Sequence, residues 1–312
     1  MTESQKRLFW HLGHPRDFLF RLLHILEADP ICTKIPDLRD LVLSLPERYA
    51  NRYQDELKFI ESIPCDRLRG CPFPYPRVKP ENVISSGWDN ENGLPYVIHS
   101  GRRLYFPRSF SENQAKDTYR TVYEVEGITG QGCLSKSPHC YQSVDFGVED
   151  GDIVLDVGCA EALFALDVVE RAKHVYLFES APKWKPALEA SFRPFSDKTT
   201  LVAKYVGGKT TRNTIQLSDA VPRTESDTYF VKMDIEGAER VVLESSRDFL
   251  MRNRVKLACC VYHRQDDEQY VCALLREYGY SISFSNGYML PTMNGIHHPY
   301  FRHCVVYARN YN

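Results

Sequence analysis

The chain has 312 residues, 43% hydrophobic and 26% charged, enough for a real core and for about two domains. Its 39 basic and 41 acidic residues leave a formal net charge of -2, so composition gives no electrostatic reason to expect a nucleic-acid partner. No apolar run approaches the roughly 20 residues that cross a bilayer, and Lys6, Arg7, His14, Arg16 and Asp17 interrupt any signal-peptide core.

The N-terminal region carries helical periodicity over 4–28 and 36–63. Phe18, Leu19, Leu22, Leu23 and Leu26 form one apolar stripe, and Asp37 is placed to cap a helix that Pro46 interrupts. Trp10, His11, His14 and His24 show no metal-ligand spacing and read as packing or solvated residues. Residues 1–70 are therefore expected to form a helical domain, with homodimerisation through these helices as one reading of it. Residues 71–143 read as a linker plus a cap region: Pro72, Pro74, Pro76 and Pro80 space an extended stretch. Strands at 95–99 and 103–106 flank Ser100, Gly101 and Arg102 in a hairpin, and 112–126 reads as a helix that 127–132 breaks. Ser137, Pro138, His139, Cys140 and Tyr141 make a loop before the main domain. That is a good place for a lid, although a packed tyrosine and a solvated histidine is the commoner outcome.

From 144 to 312 the pattern changes to strands alternating with helices. Strands are expected at 153–158, 174–179, 200–206, 229–236 and 256–263, with helices at 161–171, 183–192, 238–250 and 267–278. Two more strands, 281–285 and 302–308, lack a helix between them, so one should run antiparallel to an otherwise parallel sheet. The ten cysteines form no C-x-x-C pair. Cys159, Cys259, Cys260, Cys272 and Cys304 read as small buried hydrophobes, with Cys259 and Cys260 on opposite sides of a strand. Reduced thiols in a cytoplasmic protein are preferred to a disulfide framework.

The organising stretch is Ile153-Val154-Leu155-Asp156-Val157-Gly158-Cys159-Ala160-Glu161-Ala162. A buried strand, a tight glycine turn and a helix N-terminus aim backbone N–H groups and the helix dipole at one spot, which makes a nucleotide-type site. The next strand ends at Glu179, about 20 positions on, the spacing at which a carboxylate reaches both hydroxyls of an adenosine ribose. Further along, Phe230-Val231-Lys232-Met233-Asp234-Ile235-Glu236-Gly237-Ala238-Glu239 is another strand, turn and helix with carboxylates at its end.

These features together look like a class I S-adenosylmethionine-dependent methyltransferase: α/β, a Rossmann-like seven-stranded sheet, mostly parallel with the last strand antiparallel, behind a helical N-terminal region. The stretch Val231 to Glu239, with Val242, Leu243 and Glu244 after it, resembles the Lys-hydrophobic-Asp-hydrophobic-Glu-Gly-x-Glu signature of FkbM-family methyltransferases. Leu217-Ser218-Asp219 resembles that family's Leu-Asp-Asp segment. The resemblance covers roughly 151–263. It departs in the first turn, where the family usually has Asp-x-Gly-Ala-Asn-x-Gly and this chain has Cys159, Ala160 and Ala162 after Gly158. Losing the last glycine narrows the backbone approach to a cofactor.

The resemblance implies S-adenosylmethionine as cofactor. Asp156 and the backbone of Gly158, Cys159 and Ala160 would hold its methionine end, Glu179 its ribose, and Ser180 would lie near the adenine. For Asp156, capping its own turn weighs equally with touching the cofactor. Asp234 and Glu236 start on the same face of one strand, and His263 ends the neighbouring strand, so the three are expected to converge at the carboxyl edge of the sheet as catalytic residues. His263 or Asp234 would be the general base. A divalent metal held by the trio is the less favoured alternative, and no metal ligands are assigned. Lys232 is as apt to pair with Glu236 or Asp234 as to touch substrate, and Glu239 reads as a first-turn residue favoured by the helix dipole. His297 and His298, in a late loop with Pro299 and Tyr300, are weak candidates for the acceptor pocket. The expected reaction is O-methylation of a sugar, glycan or related small molecule. The alternatives are a nicotinamide-dependent oxidoreductase, which would want three glycines in the first turn, and a methyltransferase-fold binding protein without catalysis.

Overall fold

The computed structural model describes residues 51–62, 84–128, 137–222, 224, 226–290, 299 and 301–311. The expected helix over 4–28, most of that over 36–63, the proline-spaced stretch at 71–80, and His297, His298 and Tyr300 lie outside the described residues. The chain divides into two compact units, Met1–Pro74 with Met289–Phe301, and Tyr75–Tyr288 with Arg302–Asn312. In the first, helix α1 (Gln54–Ser62) begins with Asp55 and Glu56, where carboxylates suit the positive end of the helix dipole. Beside it, the rings of Tyr53 and Phe301 lie 4.6 Å apart.

The second unit starts with a three-stranded antiparallel sheet, β1 (Ser86–Asp89), β2 (Leu94–His99) and β3 (Arg102–Tyr105). The sequence shows the β2–β3 hairpin. The additional strand β1 is less legible because Gly87 interrupts it; a Cβ there would meet the Tyr96 hydroxyl at 2.7 Å. Helix α2 (Glu112–Glu126) matches its expected span. Its Ser111 Oγ accepts from the Gln114 amide at 3.2 Å while the Gln114 side chain accepts from the Ser111 amide at 2.8 Å, and Gly127 closes it at φ 64°.

The main sheet contains β4 (Ile153–Val157), β5 (His174–Phe178), β6 (Thr199–Val202), β9 (Thr228–Met233), β10 (Arg254–Cys260), β11 (Ser281–Phe284) and β12 (Val305–Arg309). Its strand order is β11-β12-β10-β9-β4-β5-β6. The central pairs β10/β9, β9/β4, β4/β5 and β5/β6 are parallel, whereas β12 runs antiparallel to both neighbours. The expected long strand at 200–206 is broken, and its second part, β7 (Tyr205–Val206), pairs with β8 (Thr214–Ile215) in a separate ribbon.

Helices α3 (Leu163–Val168), α4 (Lys185–Phe192), α5 (Leu217–Ala220), α6 (Glu239–Ser245), α7 (Arg247–Arg252) and α8 (Asp267–Glu277) complete the unit. The span expected as one helix over 238–250 is two, because the chain turns at Ser246 between α6 and α7. All five residues of β4 are buried, so both sheet faces are covered. One face sends Leu155, Val157, Val231, Met233, Leu257 and Cys259 into an apolar core with Val242, Leu250, Val271 and Leu275. Each large side chain there contributes about 1.5–3 kcal/mol by leaving water. The alternate residues Asp156, Lys232 and Lys256 are also buried but polar, and Cys260 shares their parity along β10. Lys256 is neutralised by Asp152 at 2.7 Å and Glu149 at 3.3 Å. The polar residues of this face lead to the site.

Candidate active site

Gly158 leaves β4 at φ 80°, and its amide and that of Cys159 donate to the Phe178 carbonyl at 3.0 and 3.1 Å. A Cβ on Gly158 would lie 2.2 Å from the Asp234 carbonyl oxygen. The first turn and the segment after β9 thus touch through their backbones, and only glycine permits the approach. Ala160 and Ala162 take positive φ values of 46° and 60°. Ala162, which stands where the resemblance leads one to expect glycine, keeps the left-handed conformation at the start of α3. The missing glycine changes the conformational cost of the turn while the chain still makes it.

Glu179 closes over this turn. Its Oε2 accepts from the Ala160 amide at 3.0 Å and its Oε1 from the Ala181 amide at 2.7 Å. Gly158 and Ser180 are partly exposed, while Cys159, Ala160, Glu161, Ala162 and Glu179 are buried. Asp156 lies one strand away from Lys232 in register, and their charges meet at 2.9 Å. The Lys232 ammonium also donates to the Gly158 carbonyl at 2.8 Å and lies 5.1 Å from the centre of the Tyr141 ring. Lys232 thus pairs with Asp156 and braces the turn, a partner different from the two weighed from the sequence, Asp234 or Glu236 on one reading and substrate on the other.

The second half of the site forms at the ends of β9 and β10. Ligand atoms of Asp234, Glu236 and His263 all lie within 4.8 Å of one another. His263 Nε2 is 3.4 Å from Asp234 Oδ1 and 3.5 Å from Glu236 Oε2, and its Nδ1 is 3.0 Å from Glu239 Oε1. Burial disfavours the imidazolium, but the carboxylates of Glu239, Glu236 and Asp234 outweigh it and push His263 up to about 10. Glu236 holds φ 58°, a left-handed conformation disfavoured for a residue with a side chain, and the following Gly237 relaxes the chain at φ 94°.

Three further residues pack against Asp234 or His263 and are only partly legible in the sequence. Glu239 opens α6 as expected, yet it is fully buried and accepts from the Ile235 amide at 3.0 Å while facing His263. Tyr141 donates to Asp234 Oδ2 at 2.9 Å and lies 3.1 Å from His139 Nε2. His139 in turn lies 3.6 Å from Asp234 Oδ2. The loop before β4 is thus packed over Asp234, and its histidine is buried instead of solvated.

A cofactor that carries a sulfonium and an ammonium, as S-adenosylmethionine does, would need a turn that tolerates positive charge. Burial pushes the Cys159 thiol well above the usual thiol range, and the Asp156 and Glu179 carboxylates push it further against the opposing Lys232 ammonium. A carboxylate-rich turn of small residues with Glu179 at its rim fits that cofactor.

The methyltransferase FkbM domain profile matches residues 72–282 of the chain. Among solved structures, a methyltransferase FkbM from Methylobacillus flagellatus KT is 20% identical with a TM-score of 0.42; the match covers 52% of this chain and 44% of that one. A putative methyltransferase from Streptococcus mutans, solved with SAH, is 14% identical with a TM-score of 0.35, covering 52% of this chain and 90% of that one. The magnesium protoporphyrin IX methyltransferase from Synechocystis PCC 6803, solved with bound SAM, is 15% identical with a TM-score of 0.35, covering 52% and 71%. No curated protein matches the sequence. Among the described residues no helix is long and apolar enough to cross a membrane. With the profile spanning well over half the chain, the protein belongs to the FkbM family of S-adenosylmethionine-dependent methyltransferases.

Proposed function

We propose that the protein transfers a methyl group from S-adenosylmethionine to a hydroxyl of a sugar, glycan or related small molecule. One observation carries this reading: the glycine turn that suits the cofactor contacts, backbone to backbone, the segment that bears Asp234 and Glu236. When bound, the cofactor would supply a sulfonium methyl that passes to the acceptor oxygen as the C–S bond breaks and the thioether leaves. Most of the rate then comes from alignment of the acceptor oxygen with that methyl.

The chain's own residues hold the cofactor and move the hydroxyl proton. Gly158, Cys159 and Ala160 offer backbone to the methionine end, Glu179 accepts from the ribose, and Ser180 borders the adenine. Asp156 acts through Lys232, which fixes the Gly158 carbonyl. His263, charged at neutral pH by its three carboxylates, holds Asp234 and Glu236 together. The hydroxyl proton passes to that carboxylate pair as the oxygen attacks, and His263 positions the pair without acting as base. From the sequence both His263 and Asp234 are open as bases; a charged His263 cannot accept the proton, which leaves the carboxylates.

Thermal-shift titration with S-adenosylmethionine, its demethylated product and NAD tests the cofactor reading. Stabilisation by the first two supports it, and stabilisation by NAD alone favours an oxidoreductase. No response to any of the three points to a binding protein without catalysis. Mass spectrometry of candidate glycans and small sugars incubated with the enzyme then tests the acceptor, through a methyl added to oxygen.

A further inference from the structure

A second cluster adjoins Asp234 through His139, whose Nε2 is 3.6 Å from Asp234 Oδ2. Cys260 ends β10 and Cys304 immediately precedes β12, the antiparallel neighbour of β10, with the Val261 amide donating to the Cys304 carbonyl at 2.9 Å. His139 enters from the loop before β4, and its Nε2 is 3.5 Å from Cys260 Sγ. The ligand atoms of His139, Cys260 and Cys304 all lie within 4.8 Å of one another, and all three residues are buried. We propose that His139, Cys260 and Cys304 form a binding site for a thiolate-preferring divalent cation of the zinc class.

Tetrahedral zinc has metal–sulfur and metal–nitrogen bonds of about 2.3 and 2.0–2.1 Å, which put a sulfur and a nitrogen ligand about 3.6 Å apart. The His139–Cys260 separation of 3.5 Å already equals that edge. Two thiolates and one imidazole are a soft donor set that selects zinc over magnesium or calcium. The three residues supply three corners, and the Tyr141 hydroxyl, 3.1 Å from His139 Nε2, stays committed to Asp234.

The loop that presents His139 is fixed on both sides, as a preformed site requires. Ser285 Oγ donates to the Pro138 carbonyl at 2.5 Å, and the Tyr307 hydroxyl donates to the Cys140 carbonyl at 2.6 Å. The His139 amide donates to Ser137 Oγ at 3.1 Å, and the Tyr262 ring stands edge-on to the imidazole at 5.5 Å. A cluster of core thiols serving only as packing needs neither a histidine between them nor a pinned loop to hold it.

On binding, each thiol gives its proton to solvent, as does His139 where it is protonated, and the histidine joins as neutral imidazole through its Nε2 lone pair. Two thiolates then balance the two positive charges, so a buried site stays neutral. The ion also takes the Nε2 that otherwise faces Asp234, leaving that carboxylate to Tyr141 and His263. This inference is independent of the proposed acceptor and of methyl transfer.

The test uses the full chain, reduced with a phosphine and handled without oxygen. Titration with cobalt(II) should give the intense visible bands of a tetrahedral ion and a thiolate-to-cobalt charge-transfer band, saturating at a single equivalent and bleached by zinc. Elemental analysis of protein purified without chelator should find zinc in the same ratio. Cys260→Ser and Cys304→Ser should each weaken the charge-transfer band, and Cys272→Ser, on α8, should leave it unchanged. Absence of tetrahedral bands in the reduced wild-type chain overturns the proposal. So do bands that persist undiminished in both serine variants, or a Cys260–Cys304 disulfide whose reduction restores no cobalt binding. The wild-type titration decides the matter even if a variant fails to fold.

Discussion

Lys232→Met isolates the charge that braces the first turn. Lys232 and Asp156 are 2% and 0% exposed and meet at 2.9 Å. Methionine keeps the apolar stem and removes the ammonium, which leaves the Asp156 carboxylate buried beside apolar atoms and the Gly158 carbonyl without this donor. Breaking one side of a buried pair costs about 3–5 kcal/mol, mostly through the charge left behind. With a urea dependence of about 2–3 kcal/mol per molar, the unfolding midpoint should fall by roughly 1–2 M. Urea unfolding followed by circular dichroism measures it. Asp156→Leu combined with Lys232→Met should recover most of the loss, since a well-packed apolar pair replaces a buried ion pair at little cost. A Lys232→Met midpoint indistinguishable from wild type, or a double variant no better than the single, would refute the view that this pair holds the turn.

The histidine trio predicts a pH dependence. His263 is raised from 6.5 to about 10 on folding, so the stability it adds is fully present below its unfolded value and is lost as pH rises through about 10. The difference in unfolding free energy between wild type and His263→Gln should therefore shrink steadily across that window; a difference independent of pH contradicts the charged imidazolium. Ala162→Gly should relieve about 1–2 kcal/mol of left-handed strain and give back up to about 1 kcal/mol in unfolded-state entropy, for a small net gain in melting temperature. A clear loss of stability would show that the Ala162 methyl matters more than its φ of 60°. Glu179→Ala should weaken S-adenosylmethionine binding in calorimetry by about 10- to 100-fold, the scale of lost bonds to a charged group, while His263→Ala spares binding and slows turnover. Equal loss of binding in both variants contradicts the division of roles.

The sheet was legible because its strands are β-branched runs separated by amphipathic helices, and both turns were legible from Gly158 and Gly237. The contacts that assemble the site were less so, because they depend on strand order. Asp156 and Lys232 are 76 positions apart by their numbers, and only the insertion of β9 beside β4 makes them neighbours. Glu239 looked like an ordinary first-turn carboxylate, and nothing local says that His263 Nδ1 lies opposite it. His139 and Tyr141 precede the sheet in sequence, so their packing over Asp234 depends on how the loop is pinned from β12 and from the end of β11. The parity of Cys259 and Cys260 was readable, and it gives the two neighbours different surroundings: Cys259 joins the apolar core, and Cys260 faces His139.

The antiparallel β12 bears on the order in which the fold can be completed. It is the last described strand in the chain, yet it sits between β10 and β11, and among the described residues β11 has no sheet neighbour but β12. Until residues 305–309 arrive, β10 presents a bare, apolar edge and β11 has nothing to attach to. A nascent chain paused just short of this segment would carry an open template for strand addition by another molecule.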